Sequence, residues 1–305
     1  MEAVPSKISF SVVIPTYESS EYIEDALRSV EGSSQCIDNE VILVDDCSND
    51  VEALKEVASK YRNIKLIVKK KKTNAADSRN IGLKNSRSDF VVFLDSDDRL
   101  LPSALEHRYR KHIETKTGIV FGAYVQSSAK DDLRLVNVPW NNEDIRDYIF
   151  LRGGDFRSST LSIYKPFYRS TKFDEKSTKH QDWIFGIRCW DAGESISYDQ
   201  RPLSEINIAN EDRMSRKVNA EASLYFVDNY LTQTAHINEF IKSCWIVAAV
   251  NMDWCSAQLL LKSYCKSRKQ AFNYFLMKVF SHRISVGVAE RLINIARRAK
   301  RIKEK

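Results

Sequence analysis

Along the first hundred positions two patterns of apolar residues alternate. Short unbroken apolar runs occupy residues 10–15 (FSVVIP), 40–46 (EVILVDD), 64–68 (IKLIV) and 90–95 (FVVFLD). Each is rich in β-branched or aromatic residues and stops at a proline or a charge, which predicts buried strands. Between them the apolar positions fall at helical spacing. In 19–32, Tyr22, Ile23, Ala26, Leu27 and Val30 share one face, with Ser19 or Ser20 as the expected N-cap. Residues 51–61 and 75–86 predict two further helices. Continuous strands separated by helices imply a doubly wound α/β unit, its sheet covered on both faces.

Beyond residue 118 the pattern loosens. Residues 118–126 predict a strand, 141–153 a helix, 173–193 a helix opening near His180, Gln181 and Asp182, and 195–210 further strands. From about 216 onward the stripes are helical, for example Leu224, Tyr225, Leu231, Ala235, Phe240 and Ile241. The apolar run 244–261 contains Asn251 and Asp253, too polar for a bilayer span, so a buried helix is expected.

The polar residues that follow the strands bear on function. The first strand runs into Thr16, Tyr17 and Glu18, and the second into Asp45 and Asp46. The third leads to a lysine run and Asn74; the fourth ends in Asp95, Asp97 and Asp98. Open α/β sheets bind ligands at the carboxyl ends of their strands, so these groups are expected at one crevice. Three carboxylates at the end of a buried strand repel one another unless a cation sits among them.

Composition narrows the choices. With 43% hydrophobic and 29% charged residues over 305 positions, the chain is an ordinary globular protein. The net charge of +6 is concentrated in the tail from Arg283 to Lys305, unlike the interleaved basic and aromatic surface of a nucleic-acid binder. Six cysteines form no CxxC pair, and no signal peptide is recognisable, so free thiols in a cytoplasmic setting are expected. Neither GxGxxG nor GxxxxGK[ST] occurs, and nine glycines leave little for a phosphate-binding loop. An Asp-x-Asp just past a strand offers another device: Asp95 and Asp97 can share Mg2+ or Mn2+ that also clamps a diphosphate.

Four segments in order, SVVIPTYE, EVILVDDCSND, NAADSRNIGLKNSRSDFVVFLDSDD and FDEKSTKHQDW, resemble the family 2 glycosyltransferases. The resemblance spans about residues 8–216. It implies the GT-A fold, a doubly wound, Rossmann-like mixed sheet, here followed by a helical C-terminal extension. It also implies inverting, metal-dependent transfer of a sugar from a nucleotide donor, usually a UDP-sugar. By similarity, Pro15, Thr16, Tyr17 and Glu18 surround the base and ribose, and Asp46 accepts from the uracil N3–H. Asn74 and Arg79 approach the base and diphosphate. Asp95 and Ser96 line the donor, Asp95 and Asp97 hold the metal, and Asp182 is the catalytic base. Trp183 beside it suits a sugar face.

Two departures stand out. Gln181 takes the place of the first acid of a Glu-Asp pair, which predicts that Asp182 lacks a carboxylate neighbour to tune it. Asn210 or Glu211 stands where many members have a histidine, with Arg213 or Arg216 as possible substitutes. A Gln-x-x-Arg-Trp signature is absent, which points to addition of one sugar at a time. The expected organisation is a catalytic domain over 1–216, with nucleotide and acceptor halves at 1–98 and 99–216, and a helical region over 217–305. The implied acceptor is a glycan or lipid-linked glycan in bacterial surface or exopolysaccharide synthesis, with no nucleic acid involved. The basic stretch 291–305 reads either as a peripheral membrane contact on the inner face of the cell membrane or as a solvated terminus. Two rival functions are a nucleotidyltransferase on a similar fold and a silent sugar-nucleotide-binding scaffold.

Overall fold

The computed structural model describes residues 8–33, 38–127, 133–208 and 218–264. It divides into two compact units, Met1–Asn210 and Glu211–Lys305. In the first, the predicted alternation is realised as β1 (Ser9–Thr16), α1 (Ile23–Gly32), β2 (Asp38–Asp45), α2 (Val51–Ser59), β3 (Ile64–Val68), α3 (Ala75–Asn85) and β4 (Phe90–Phe93). Then follow β5 (Arg99–Leu100), α4 (Ala104–Thr115), β6 (Ile119–Gly122), β7 (Tyr124–Ser127), β8 (Arg134–Val136), β9 (Ser162–Tyr164), α5 (Gln181–Asp191), β10 (Ile196–Asp199) and β11 (Ser204–Asn207).

Seven strands form the main sheet in the order β3-β2-β1-β4-β9-β6-β10. It is mixed, because β9 runs antiparallel to both β4 and β6 while the other neighbours are parallel. The chain builds outward from β1 to β2 and β3, then returns to place β4 on the other side of β1. This reversal puts the switch point, where such sheets bind ligands, between the ends of β1 and β4. Phe10, Val12, Ile14, Leu43, Val92 and Leu94 are buried in one core with Ile23, Leu27 and Val30 of α1 and Leu105 of α4.

Four local expectations are corrected. α1 begins at Ile23, and neither Ser19 nor Ser20 caps it through its side chain. The Ser19 carbonyl accepts from Tyr22 and Ile23, and the Ser20 N–H goes to Asp50. Residues 118–126 form two strands in two sheets, broken at Ala123, because β7 joins a smaller sheet of order β5-β11-β7-β8. The helix expected over 141–153 is a single π-helical turn, Asp147–Leu151. The run 244–261 makes parts of two helices.

The second unit contributes α6 (Ala220–Tyr230), α7 (Thr234–Val250) and α8 (Trp254–Ser263). Met252 takes a left-handed φ of 56° between α7 and α8, and Asp253 caps α8 by accepting from the Ser256 N–H at 3.1 Å. Among the described residues no helix is long and apolar enough to cross a membrane. Cys47, Cys189, Cys244 and Cys255 are free thiols. Asn210, Glu211, Arg213, Arg216 and the basic stretch 291–305 lie outside the described residues.

Candidate active site

At the ends of β1 and β2 the two neighbouring aspartates part company. Asp45 organises the turn after β2, accepting from Ser48 N–H at 3.0 Å and from the Ser48 and Thr16 hydroxyls at 2.5 and 3.4 Å. Asp46 turns to the next strand end. Its Oδ1 meets Lys69 Nζ at 2.7 Å and the Thr73 N–H at 2.7 Å. These contacts all fall on Oδ1. Lys69 also pairs with Asp77 at 2.8 Å, and its hydrogen bonds help hold that carboxyl below its usual range even though burial opposes this.

The loop after β1 is held by its own contacts. Pro15 lies within β1, in register with Val44. Glu18, at a left-handed φ of 47°, accepts through Oε1 from the Asn49 N–H and side-chain amide at 3.0 and 2.8 Å. One carboxylate oxygen of Glu18 thus ties the loop after β1 to the loop after β2. Tyr17 is exposed, with Lys72 Nζ 3.4 Å from its ring centroid.

Helix α3 reaches the switch point because Gly82 lets it lie directly on β1. A Cβ there would stand 2.2 Å from Val13 Cγ1. Asn74 is its N-cap, accepting from the Asp77 N–H at 3.1 Å, and it donates to the Glu175 carbonyl at 2.7 Å. Asn80 binds both backbone groups of Phe173 at 3.0 Å. These ties draw the segment before α5 onto α3.

Arg79 stands at the centre. It is 4% exposed, and its Nη2 donates to Asp95 Oδ1 at 2.6 Å. Nη1 donates to Gln181 Oε1 at 3.2 Å and lies 3.8 Å from Asp182 Oδ1. Burial works against its charge, but Asp95, Asp182 and Asp98 outweigh it and hold the guanidinium above its ordinary pKa. Burial also pushes the Asp182 carboxyl up. Arg79 pulls it down, Asp95 adds to the rise, and the net direction is upward. The tuning carboxylate that Gln181 does not supply thus comes from Asp95, almost ninety positions away in the chain. Gln181 itself is a buried tie, donating to the Ser177 carbonyl at 2.8 Å.

The three acids after β4 have different fates. Asp98 is buried and saturated, accepting from the Ser159 hydroxyl at 2.6 Å and the Asn207 N–H at 3.0 Å. It is structural. Asp95 is partly exposed beside Arg79, and the Ser96 side chain lies against the Tyr22 hydroxyl near Asp97. Among the described residues no three His, Cys, Asp or Glu side chains are arranged to hold a metal. Two hard carboxylates, Asp95 and Asp97, remain. That donor set fits Mg2+ or Mn2+ when a diphosphate completes the shell.

Beside the start of α5, half-buried Asp155 accepts from Tyr124 Oη at 2.8 Å, Trp183 Nε1 at 3.0 Å and Arg157 Nε at 2.6 Å. Trp183 stacks on His180, ring centroids 5.5 Å apart. Burial lowers the His180 pKa to about 3, so its imidazole is neutral. Lys69, Asp155, Arg157, Ser158 and Ser159 were not picked out in the sequence. The RSST run between Phe156 and Leu161 was the available signal, since consecutive hydroxyls flanked by apolar residues must find buried acceptors.

Residues 11–171 match the family profile described as "Glycosyl transferase family 2". The chain is 30% identical over 234 residues to the amylovoran biosynthesis glycosyltransferase AmsB of Erwinia amylovora, covering 72% of this chain and 77% of that protein. It is 37% identical over 194 residues to the poly(ribitol-phosphate) β-N-acetylglucosaminyltransferase TarP of Staphylococcus aureus, covering 58% of this chain and 56% of TarP. The structure of S. aureus TarS 1–349 in complex with UDP-GlcNAc superposes with a TM-score of 0.59 at 19% identity, covering 85% of this chain and 82% of that one. The likeness is one of fold, that of the GT-A glycosyltransferases.

Proposed function

Since the chain belongs to glycosyl transferase family 2 and is a glycosyltransferase, we propose that it carries out inverting, metal-dependent transfer of one sugar from a UDP-sugar to a glycan or lipid-linked glycan. Of the relatives named above, AmsB is a glycosyltransferase of amylovoran biosynthesis and TarP a β-N-acetylglucosaminyltransferase acting on poly(ribitol-phosphate). The observation that carries the reading is the Arg79 bridge. One buried guanidinium spans Asp95, on the donor side, and Asp182, at the start of α5.

Each residue then has a chemical task. Asp46 offers Oδ2 to the uracil N3–H, with Oδ1 held by Lys69 and Thr73. Tyr17, Thr16 and Pro15 border the base and ribose, and Asn74 holds the α3 entrance beside them. Asp95 and Asp97 would hold Mn2+ or Mg2+, which supplies charge neutralisation and Lewis-acid stabilisation of the departing UDP. Arg79 keeps Asp95 in place and adds positive charge beside the diphosphate. Asp182, its carboxyl raised by burial, takes the proton of the acceptor hydroxyl, an effect of about 10²–10⁴-fold. Trp183, held by Asp155, presents an indole face to the acceptor sugar.

How the other carboxylates are used supports a single displacement. Asp155 accepts three hydrogen bonds and Asp98 two, so neither stands ready as a covalent nucleophile beside Asp182. Direct attack by the acceptor hydroxyl, with Asp182 as its base, inverts the anomeric carbon as UDP departs. We assign the catalytic domain to 1–216 and the helical region to 217–305. We propose that the reaction runs in the cytoplasm, and that the basic composition of 291–305 suits contact with an anionic inner membrane face.

A panel of sugar nucleotides with and without MnCl2 tests this reading, scored by thermal stabilisation and slow donor hydrolysis. Metal-dependent binding of UDP and of at least one UDP-sugar is expected. Binding of none of them, or equal binding after chelation, would overturn it.

A further inference from the structure

The short turn Ser158–Thr160 lies between the two halves of the chemistry. We propose that its two serines are positioning residues with separate tasks, Ser158 setting the base Asp182 and Ser159 setting the 95–98 loop that holds the donor. The inference rests on the reading of the site given above.

Two consecutive hydroxyls leave the turn in different directions. Ser158 Oγ donates to Asp182 Oδ1, the same oxygen that Arg79 Nη1 approaches at 3.8 Å. With both contacts on Oδ1, the carboxylate cannot rotate without losing them, and Oδ2 is the oxygen left for the acceptor proton. Ser159 Oγ accepts from the Asp95 N–H at 3.0 Å and donates to Asp98 Oδ2 at 2.6 Å. It thereby closes the 95–98 loop, across which the Asp98 N–H also donates to the Asp95 carbonyl at 3.1 Å. Adjacent residues on one backbone thus hold the base carboxylate of Asp182 and the loop that carries Asp95 and Asp97, on opposite sides of the transferred sugar.

The turn can do this because it is itself immobilised. Arg108 of α4, fully buried, donates through Nη1 to the Thr160 carbonyl and through Nη2 to the Ser159 carbonyl and Ser204 Oγ, both at 3.0 Å. Ser204 of β11 donates in turn to the Ser159 carbonyl. One turn along α4, His112 Nε2 bonds Ser162 Oγ at 2.9 Å, and the Phe93 N–H of β4 donates to the Leu161 carbonyl at 3.2 Å. Three elements therefore fix the turn, and a base displaced by an ångström loses about 10²-fold in rate. Were the hydroxyls only satisfying buried carboxylates, either alanine variant would lower stability and all activities together.

The test compares wild type with Ser158→Ala, Ser158→Thr, Ser159→Ala and Ser159→Cys. Titration calorimetry with UDP and MnCl2 measures binding. Steady-state hydrolysis of the UDP-sugar that the panel identifies gives kcat and KM, and melting temperature monitors folding. Ser158→Ala is expected to lose about tenfold or more in kcat, the worth of one charge-assisted hydrogen bond, with UDP affinity within about twofold of wild type. Ser158→Thr should recover most of that loss. Ser159→Ala should weaken manganese-dependent UDP binding about tenfold, with Ser159→Cys intermediate. Wild-type kcat in Ser158→Ala, or parallel losses of kcat and UDP affinity in both alanine variants, overturns the division of tasks. A wild type that binds no UDP with manganese overturns the underlying glycosyl-transfer reading, and the inference falls with it.

Discussion

Arg79 and Asp182 carry opposite stability consequences, which separates their roles. Removing the guanidinium leaves Asp95 and Asp182 buried or half-buried with no cation between them. Arg79→Met is therefore expected to cost about 3–5 kcal/mol in urea unfolding and to abolish manganese-dependent UDP binding. Asp182 behaves differently. Its carboxyl is raised in the folded state, so above the unfolded value of about 3.9 the native protein holds this proton more tightly than the unfolded chain. The Asp182 contribution to stability thus falls as pH rises through that window. Asp182→Asn is predicted to melt at or above the wild-type temperature at pH 7, bind UDP normally, and lose about 10²–10⁴-fold in transfer. The acid limb of the wild-type pH–rate profile should lie above the ordinary carboxylate value. A lower-melting Asp182→Asn that also lost UDP affinity would make the residue structural.

At the scale of elements, the close seat of α3 on β1 delivers Arg79 to the switch point. Gly82→Ala would push a methyl to 2.2 Å from Val13 Cγ1, and Val13 is β-branched and cannot swing aside. The expected cost is about 1–3 kcal/mol, with weaker UDP binding as Arg79 shifts. Adding Val13→Ala should recover part of both, giving a double-mutant coupling that unrelated sites would not show. The elements differ in how visible they are from sequence. β1 to β4, α1 and α2 repeat an apolar face over several residues and appear close to where the periodicity places them, whereas α3 buries Ala76, Ser78, Arg79 and Gly82. β9 is three residues long and antiparallel, too short to repeat anything. The turn Ser158–Thr160 has no period at all, and its partners lie on α4, α5, β4 and β11.

For the molecule as a whole, one buried histidine sets an acid limit. His112 bonds Thr117 O and Ser162 Oγ in the core, and burial lowers its pKa to about 4. Between about 6.5 and 4 the unfolded chain takes up a proton that the native state refuses. Stability should therefore fall by about 3 kcal/mol as pH drops through that window, seen as a falling melting temperature at constant ionic strength. His112→Gln is expected to make that decline shallower, with the part due to His180 remaining, even if it lowers stability at pH 7. The basic stretch 291–305 makes a separate prediction. The full chain should float with phosphatidylglycerol vesicles at low salt, and a chain ending at 290 should not.

Periodicity and the chemistry of strand ends were enough to announce a doubly wound sheet, a polar crevice at its edge and carboxylates suited to a divalent ion. Those are local properties, written in neighbouring side chains, and the family resemblance rests on the same stretches. What the chain order could not show is which acid meets which cation. Arg79 and Gln181 are 102 positions apart, and Arg108 and Ser204 are 96. Asp45 and Asp46, or Asp97 and Asp98, are equivalent as letters. Only packing makes Asp98 a buried hydrogen-bond acceptor and Asp45 a turn former, because the energy of a charge depends on the groups that surround it after folding. For Asp182 the same rule decides its proton affinity. Burial raises it most, the carboxylate that adds to the rise arrives from the loop after β4, and the serine that aims it comes from a turn with no sequence period.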